Sequence, residues 1–81
     1  MNKIEQRLGD QLKIVRLKKG LTQEQLAELS GLHRTYIGSV ERGERNITVK
    51  NLYKILLAMN CSLGDFFKSF FDSNCSIYSD K

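Results

Sequence analysis

Apolar residues recur along this chain at intervals of three and four from its first turn onward. Ile4, Leu8, Leu12 and Val15 follow one another at the spacing of a helical face, and Gly20 stands after Lys18 and Lys19 as a stop. The spacing predicts a first helix over residues 4–19. Thr22 caps a second, Gln25 completes a Thr-x-x-Gln capping box, and Leu26, Ala27 and Leu29 supply its apolar side. Ser30-Gly31 ends this helix after barely two turns. Leu32 then fills the corner, His33 caps, and a third helix is expected from Arg34 to Arg42, closed by Gly43.

After a short loop, Thr48 caps a fourth helix with a stripe of Leu52, Ile55, Leu56 and Met59, stopped at Asn60. Ser62 opens a fifth, with Leu63, Phe66, Phe67 and Phe70 on its apolar side. No alternating run, hairpin dipeptide or proline occurs, so no strand is expected. The fold class is all-α: a compact bundle of five short helices forming one domain over residues 1–72. The tail, residues 73–81, has no clear period.

Composition narrows the function classes. A chain of 81 residues with 41% hydrophobic and 27% charged content makes one small globular domain. No apolar run approaches the ~20 residues of a membrane span, and the N-terminus lacks the apolar centre of a secretory signal. A cytoplasmic location is expected. With one histidine and only Cys61 and Cys75, neither in a Cys-x-x-Cys pair, no metal or other cofactor is expected. Reduced thiols are a better reading than a disulfide. The acidic residues are scattered, the histidine has no partner and there is no Gly-rich phosphate loop, so catalysis is not expected. The net charge of +4 favours a polyanionic partner, though a basic face is often merely a solvated one.

The corner between the second and third helices sharpens this. Two short helices joined by a tight Gly-containing turn form a helix-turn-helix, in which the second helix brings its N-terminal side chains to base edges in the major groove of duplex DNA. By spacing, Ile37 and Val40 face the core, and Arg34, Thr35 and Ser39 lie opposite. Arg34 can fork onto guanine, a pair worth about 1–3 kcal/mol of discrimination, and Thr35 can meet a base edge or a thymine methyl. Tyr36 reads as a phosphate or groove contact, or equally as partial core packing. Ser39 reads as a contact or a solvated residue. Gln23 sits where the free N–H groups of a helix start favour a phosphate. Arg45, Asn46 and Thr48 can hold the adjacent backbone, with capping as the main duty of Thr48. Gly38 implies a close approach, by DNA or by a neighbouring helix.

The stretch LGDQLKIVRLKKGLTQEQLAELSGLHRTYIGSVERGERN resembles the Cro/C1-type (Xre-like) helix-turn-helix family of bacterial and phage regulators. Matching residues are Leu21-Thr22-Gln23, Leu26-Ala27, Gly31, Ile37 and Glu41-Arg42-Gly43, preceded by Arg16, and LLAMNCSLGDFF resembles the closing helix pair. Within the family, HRTYIGSVERGERNIT resembles the controller proteins of restriction–modification systems. The resemblance implies a lambda-repressor-like DNA-binding domain and a small dimeric transcriptional regulator. It also implies a salt bridge between Arg16 and Glu41 that joins the first helix to the third, and a phosphate-binding role for Gln23. Rival readings are another Xre-like repressor, such as a phage regulator or antitoxin, and a protein-interaction module on the same fold. The Arg34-Thr35 start of the third helix discriminates, because an interaction module has no need of it.

The fourth and fifth helices carry more apolar residues than one core face can take. Tyr53, Leu57, Phe70 and Phe71 are left over, and such a patch marks an interface. A homodimer is expected, setting two recognition helices about one DNA turn, ~34 Å, apart over a pseudo-palindromic operator. An acidic patch of Glu24, Glu28 and Glu44 suits a contact with RNA polymerase, but a solvated face is the better reading.

Overall fold

The computed structural model describes the backbone of residues 3–72 and the side chains of residues 4–68. These residues form five helices: α1 (Lys3–Lys18), α2 (Gln23–Ser30), α3 (Arg34–Glu41), α4 (Val49–Ala58) and α5 (Leu63–Asp72). No described helix is long and apolar enough to cross a membrane. The Phe70 and Phe71 side chains and the 73–81 tail lie outside the described residues.

Local chemistry sets each boundary. The Thr22 hydroxyl accepts from the Gln25 amide at 3.0 Å while the Gln25 side chain accepts from the Thr22 amide at 2.9 Å, closing the expected capping box. At the other end of α2, Gly31 adopts a left-handed conformation (φ 77°), and the Gly31 and Leu32 amides both return to the Ala27 carbonyl. A side chain in that conformation costs roughly 1–2 kcal/mol, so the corner requires glycine. Ser30 tightens it further: its hydroxyl donates to the Ala27 carbonyl and accepts from the Leu32 amide, each at 3.3 Å. Thr48 caps α4 through the Asn51 amide at 3.0 Å, Asn60 ends the segment at φ 55°, and Ser62 caps α5 through the Asp65 amide at 3.0 Å.

Helix α3 packs between α1 and α2, α4 lies on α2, and α5 closes on α4. The core they share is Leu12, Leu26, Ala27, Ile37, Val40, Leu52, Ile55, Leu56, Met59 and Phe66. Burying a side chain of the larger kinds is worth about 1.5–3 kcal/mol, so this set supplies the main driving force for the fold. Helix α1 reaches α3 through Gly9. A Cβ at that position would stand 2.3 Å from the Val40 carbonyl oxygen and 2.8 Å from that of Glu41, so only a residue without a side chain permits the contact. The chain sequence thus sets the α1–α3 distance with a single hydrogen-for-methyl choice.

Three apolar residues assigned to buried faces are exposed. Leu29 (60%) is exposed on α2, Ile4 lies exposed on the first turn of α1, and Leu63 stands at the first position of α5. Short helices bury only the arc that another helix covers, and these residues lie beyond it. Cys61 is half-buried, and that burial pushes its thiol above the ordinary range, which keeps it protonated and poorly nucleophilic at neutral pH.

Candidate nucleic-acid interface

Helix α3 is held from below by a buried ion pair. The Arg16 Nε and second terminal nitrogen donate to the two Glu41 carboxylate oxygens at 2.7 and 3.0 Å, and the remaining terminal nitrogen donates to the Leu21 carbonyl at 2.8 Å. Both side chains are almost completely buried. The Gln23 amide adds a third donor to Glu41, at 3.0 Å. The Arg16–Glu41 pair therefore ties the end of α3 to α1, to the α1–α2 turn and to the first residue of α2. This bidentate geometry fixes direction as well as distance, so the angle of α3 is set by charged groups placed where water cannot compete.

Gly38 lies beside this network: a Cβ there would stand 3.2 Å from an Arg42 guanidinium nitrogen and 3.3 Å from the Gln23 side-chain oxygen, so two side-chain ends of the protein approach it closely. Gln23 is accordingly half-buried and engaged with Glu41, at the N-terminal end of α2 where its sequence position placed it.

Above this base, the first residues of α3 face solvent. His33 occupies the N-cap position without a side-chain cap bond, and Arg34 and Thr35 follow it as exposed residues. The first-turn amides are thus left without a side-chain acceptor, with a guanidinium and a hydroxyl beside them, a combination suited to anionic oxygens and base edges. Tyr36 comes next and is half-buried, its ring packed on the core edge and its hydroxyl accepting from the Asn51 side-chain amide at 3.1 Å. The Arg45 guanidinium lies 5.5 Å from the centre of that ring, a cation–π arrangement. Asn46 is exposed beside it, and Thr48 performs its capping role.

Ser39 is a correction. Although one turn beyond Thr35, it does not lie on the outer face: it is 7% exposed and its hydroxyl donates to the Tyr36 carbonyl at 2.8 Å. The cause is the double cover on α3, whose residues from Ile37 to Glu41 are all buried. The outer surface of the helix is confined to its first turn.

The exposed Arg42 and Glu44 side chains pair at 3.0 Å, and the hydrogen bond from Arg42 holds the Glu44 carboxyl below its ordinary range. Glu24 and Glu28 are exposed on α2. Among the described residues no group of three or more histidine, cysteine, aspartate or glutamate side chains could hold a metal ion.

Two contributors were missed by the sequence pattern. Asn51 is a polar residue on the inward stripe of α4, four before the buried Ile55, and that misplacement was its one visible signal. Gly9 gave none, since a glycine inside a helix identifies no partner. Val49, Tyr53 and Leu57 form an exposed stripe at four-residue spacing along α4 (77%, 52% and 63% exposed), which adds Val49 to the surplus apolar residues expected on that helix.

Comparison with known proteins agrees with this geometry. A profile of the helix-turn-helix family matches residues 12–66. The control protein C.SmaI of Serratia marcescens is 52% identical over 60 residues, covering 74% of this chain and 71% of that one. The control protein C.BamHI of Bacillus amyloliquefaciens is 37% identical over 75 residues, covering 91% and 93%. Among solved structures, the wild-type restriction–modification controller protein C.Esp1396I superposes with a TM-score of 0.85 at 38% identity, over 89% of this chain and 95% of its own. That controller has also been seen as a tetramer in complex with its natural 35 base-pair operator, a structure that matches this chain with the same TM-score of 0.85. On these grounds the chain belongs to the helix-turn-helix family and, within it, to the controller proteins of restriction–modification systems.

Proposed function

We propose that this protein is a transcriptional controller that binds a pseudo-palindromic operator in duplex DNA as a homodimer, with α3 of each chain in the major groove. The observation that carries the reading is the exposed Arg34-Thr35 pair at the start of a helix whose angle is locked by the buried Arg16–Glu41 pair. Arg34 and Thr35 read base edges, Tyr36 and Asn46 border the groove, and Arg45 and the α2 start beside Gln23 lie against the phosphates. The exposed Val49, Tyr53 and Leu57 stripe of α4 forms the dimer interface, to which the sequence pattern also assigns Phe70 and Phe71.

A dimer makes the response to protein concentration steep, because each site needs two chains. Cooperative filling of a second adjacent site, with a coupling of about 1–3 kcal/mol, would convert activation into repression as the protein accumulates. The operator-bound tetramer of C.Esp1396I supports this arrangement. Glu24 and Glu28, exposed on α2, are the acidic groups available to RNA polymerase, whereas Glu44 is engaged by Arg42.

Arg34→Ala tests the reading helix. It should weaken operator binding by roughly 1–3 kcal/mol and relax the preference at one position in each half-site. Titration of operator and random duplexes distinguishes the roles: an equal loss on both would leave Arg34 as a phosphate contact only.

A further inference from the structure

Tyr36 is the one residue of the exposed reading turn that is tied to a different helix. Its hydroxyl accepts a hydrogen bond from Asn51 Nδ2 at 3.1 Å, and Arg45 lies over its ring at 5.5 Å from the centre. Asn51 is itself well fixed, because its backbone amide donates to the Thr48 hydroxyl that caps α4. A phenol carries one proton and two acceptor sites. With Asn51 donating to the oxygen, the proton of the hydroxyl has no acceptor among the described residues and can be given to an outside acceptor. An unheld phenol could instead turn its proton to water or swing with its ring.

We propose that Asn51 is a positioning residue for operator reading, which anchors the Tyr36 hydroxyl to α4 so that its proton is donated to an acceptor on the DNA. The role rests on the DNA-reading function proposed above. It also gives a physical connection between the reading turn and α4, the helix that carries the exposed Val49, Tyr53 and Leu57 stripe. Asn51 does not touch DNA in this role; it acts through Tyr36.

The test is a cycle of Asn51→Ala, Tyr36→Phe and the double variant in the full chain, titrated on a duplex selected by the parent protein from a randomised pool and on a random duplex. Asn51→Ala keeps the α4 cap, since Thr48 accepts from the residue-51 backbone amide and not from the side chain. Circular dichroism and melting establish that each variant is folded. Each single substitution should lower the ratio of selected to random binding about three- to tenfold, the range of one neutral hydrogen bond. The double variant should fall no further than Tyr36→Phe alone, an equivalence that a purely structural asparagine would not produce. Full discrimination by Asn51→Ala, or losses that multiply in the double variant, would overturn the proposal while leaving DNA reading intact. A parent protein that enriches no sequence from the pool would remove the DNA-reading function, and the role of Asn51 with it.

Discussion

Glu41→Gln is expected to destabilise the fold by about 3–5 kcal/mol, the range for breaking one partner of a buried ion pair. Glu41 accepts from Arg16 at two oxygens and from Gln23 at one of them, with 4% of its side chain exposed. Glutamine keeps the shape but replaces one acceptor oxygen with a donor and removes the charge. Arg16 would then be left as an uncompensated cation in a site from which water is excluded. One kcal/mol shifts the midpoint of a domain of this size by roughly 4–8 °C, so the melt should fall by at least ~12 °C. A thermal melt that overlays the parent would eliminate the ion pair as the device that holds α3. Replacing both partners together with apolar residues of similar volume is a different experiment. Such exchanges are often neutral or stabilising, so a stable double variant with impaired operator binding would assign the pair to orientation of α3 and not to stability.

Leu57→Asp should give folded monomers. Leu57 is 63% exposed in the single chain and lies on one stripe with Val49 and Tyr53, so a carboxylate there is hydrated in the monomer and the core loses nothing. In a two-fold dimer the same substitution appears twice, at the self-complementary surface. Losing a buried leucine costs about 1.5–3 kcal/mol per copy, so the dimer constant should weaken by at least ~100-fold even before the charges are desolvated. Sedimentation equilibrium at micromolar concentration measures this, with circular dichroism showing retained helix. Operator binding should weaken in parallel, because a monomer holds one half-site only. A variant that sediments as a dimer would move the interface away from α4.

The punctuation of the fold was legible before its packing was. Thr22 with Gln25, Gly31, Thr48, Asn60 and Ser62 mark helix ends through bonds made within a few residues, and each does so in the structure. The Arg16–Glu41 pair was legible only through family resemblance, since 25 residues separate the two. Ser39 was misplaced because a periodic pattern assumes one buried face. Helix α3 is covered by α1 and α2 together, and every residue from Ile37 to Glu41 is buried. Leu29 and Ile4 failed in the opposite sense: apolar character gave them a core face that no helix covers. Gly9 and Asn51 take their meaning from atoms more than a dozen residues away, the Val40 carbonyl and the Tyr36 hydroxyl; a one-dimensional pattern shows Asn51 as a polar residue on an apolar stripe but names neither partner.

The central claim is that two copies of this chain read duplex DNA together through the start of α3. Selection of duplexes from a randomised pool by the full chain, followed by the stoichiometry of the enriched duplex, tests it most directly. The expected result is a sequence with two inverted half-sites whose centres lie about one helical turn, 10–10.5 base pairs, apart, bound by two chains per palindrome. Enrichment of no sequence, or of a single asymmetric site occupied by one chain, would contradict it.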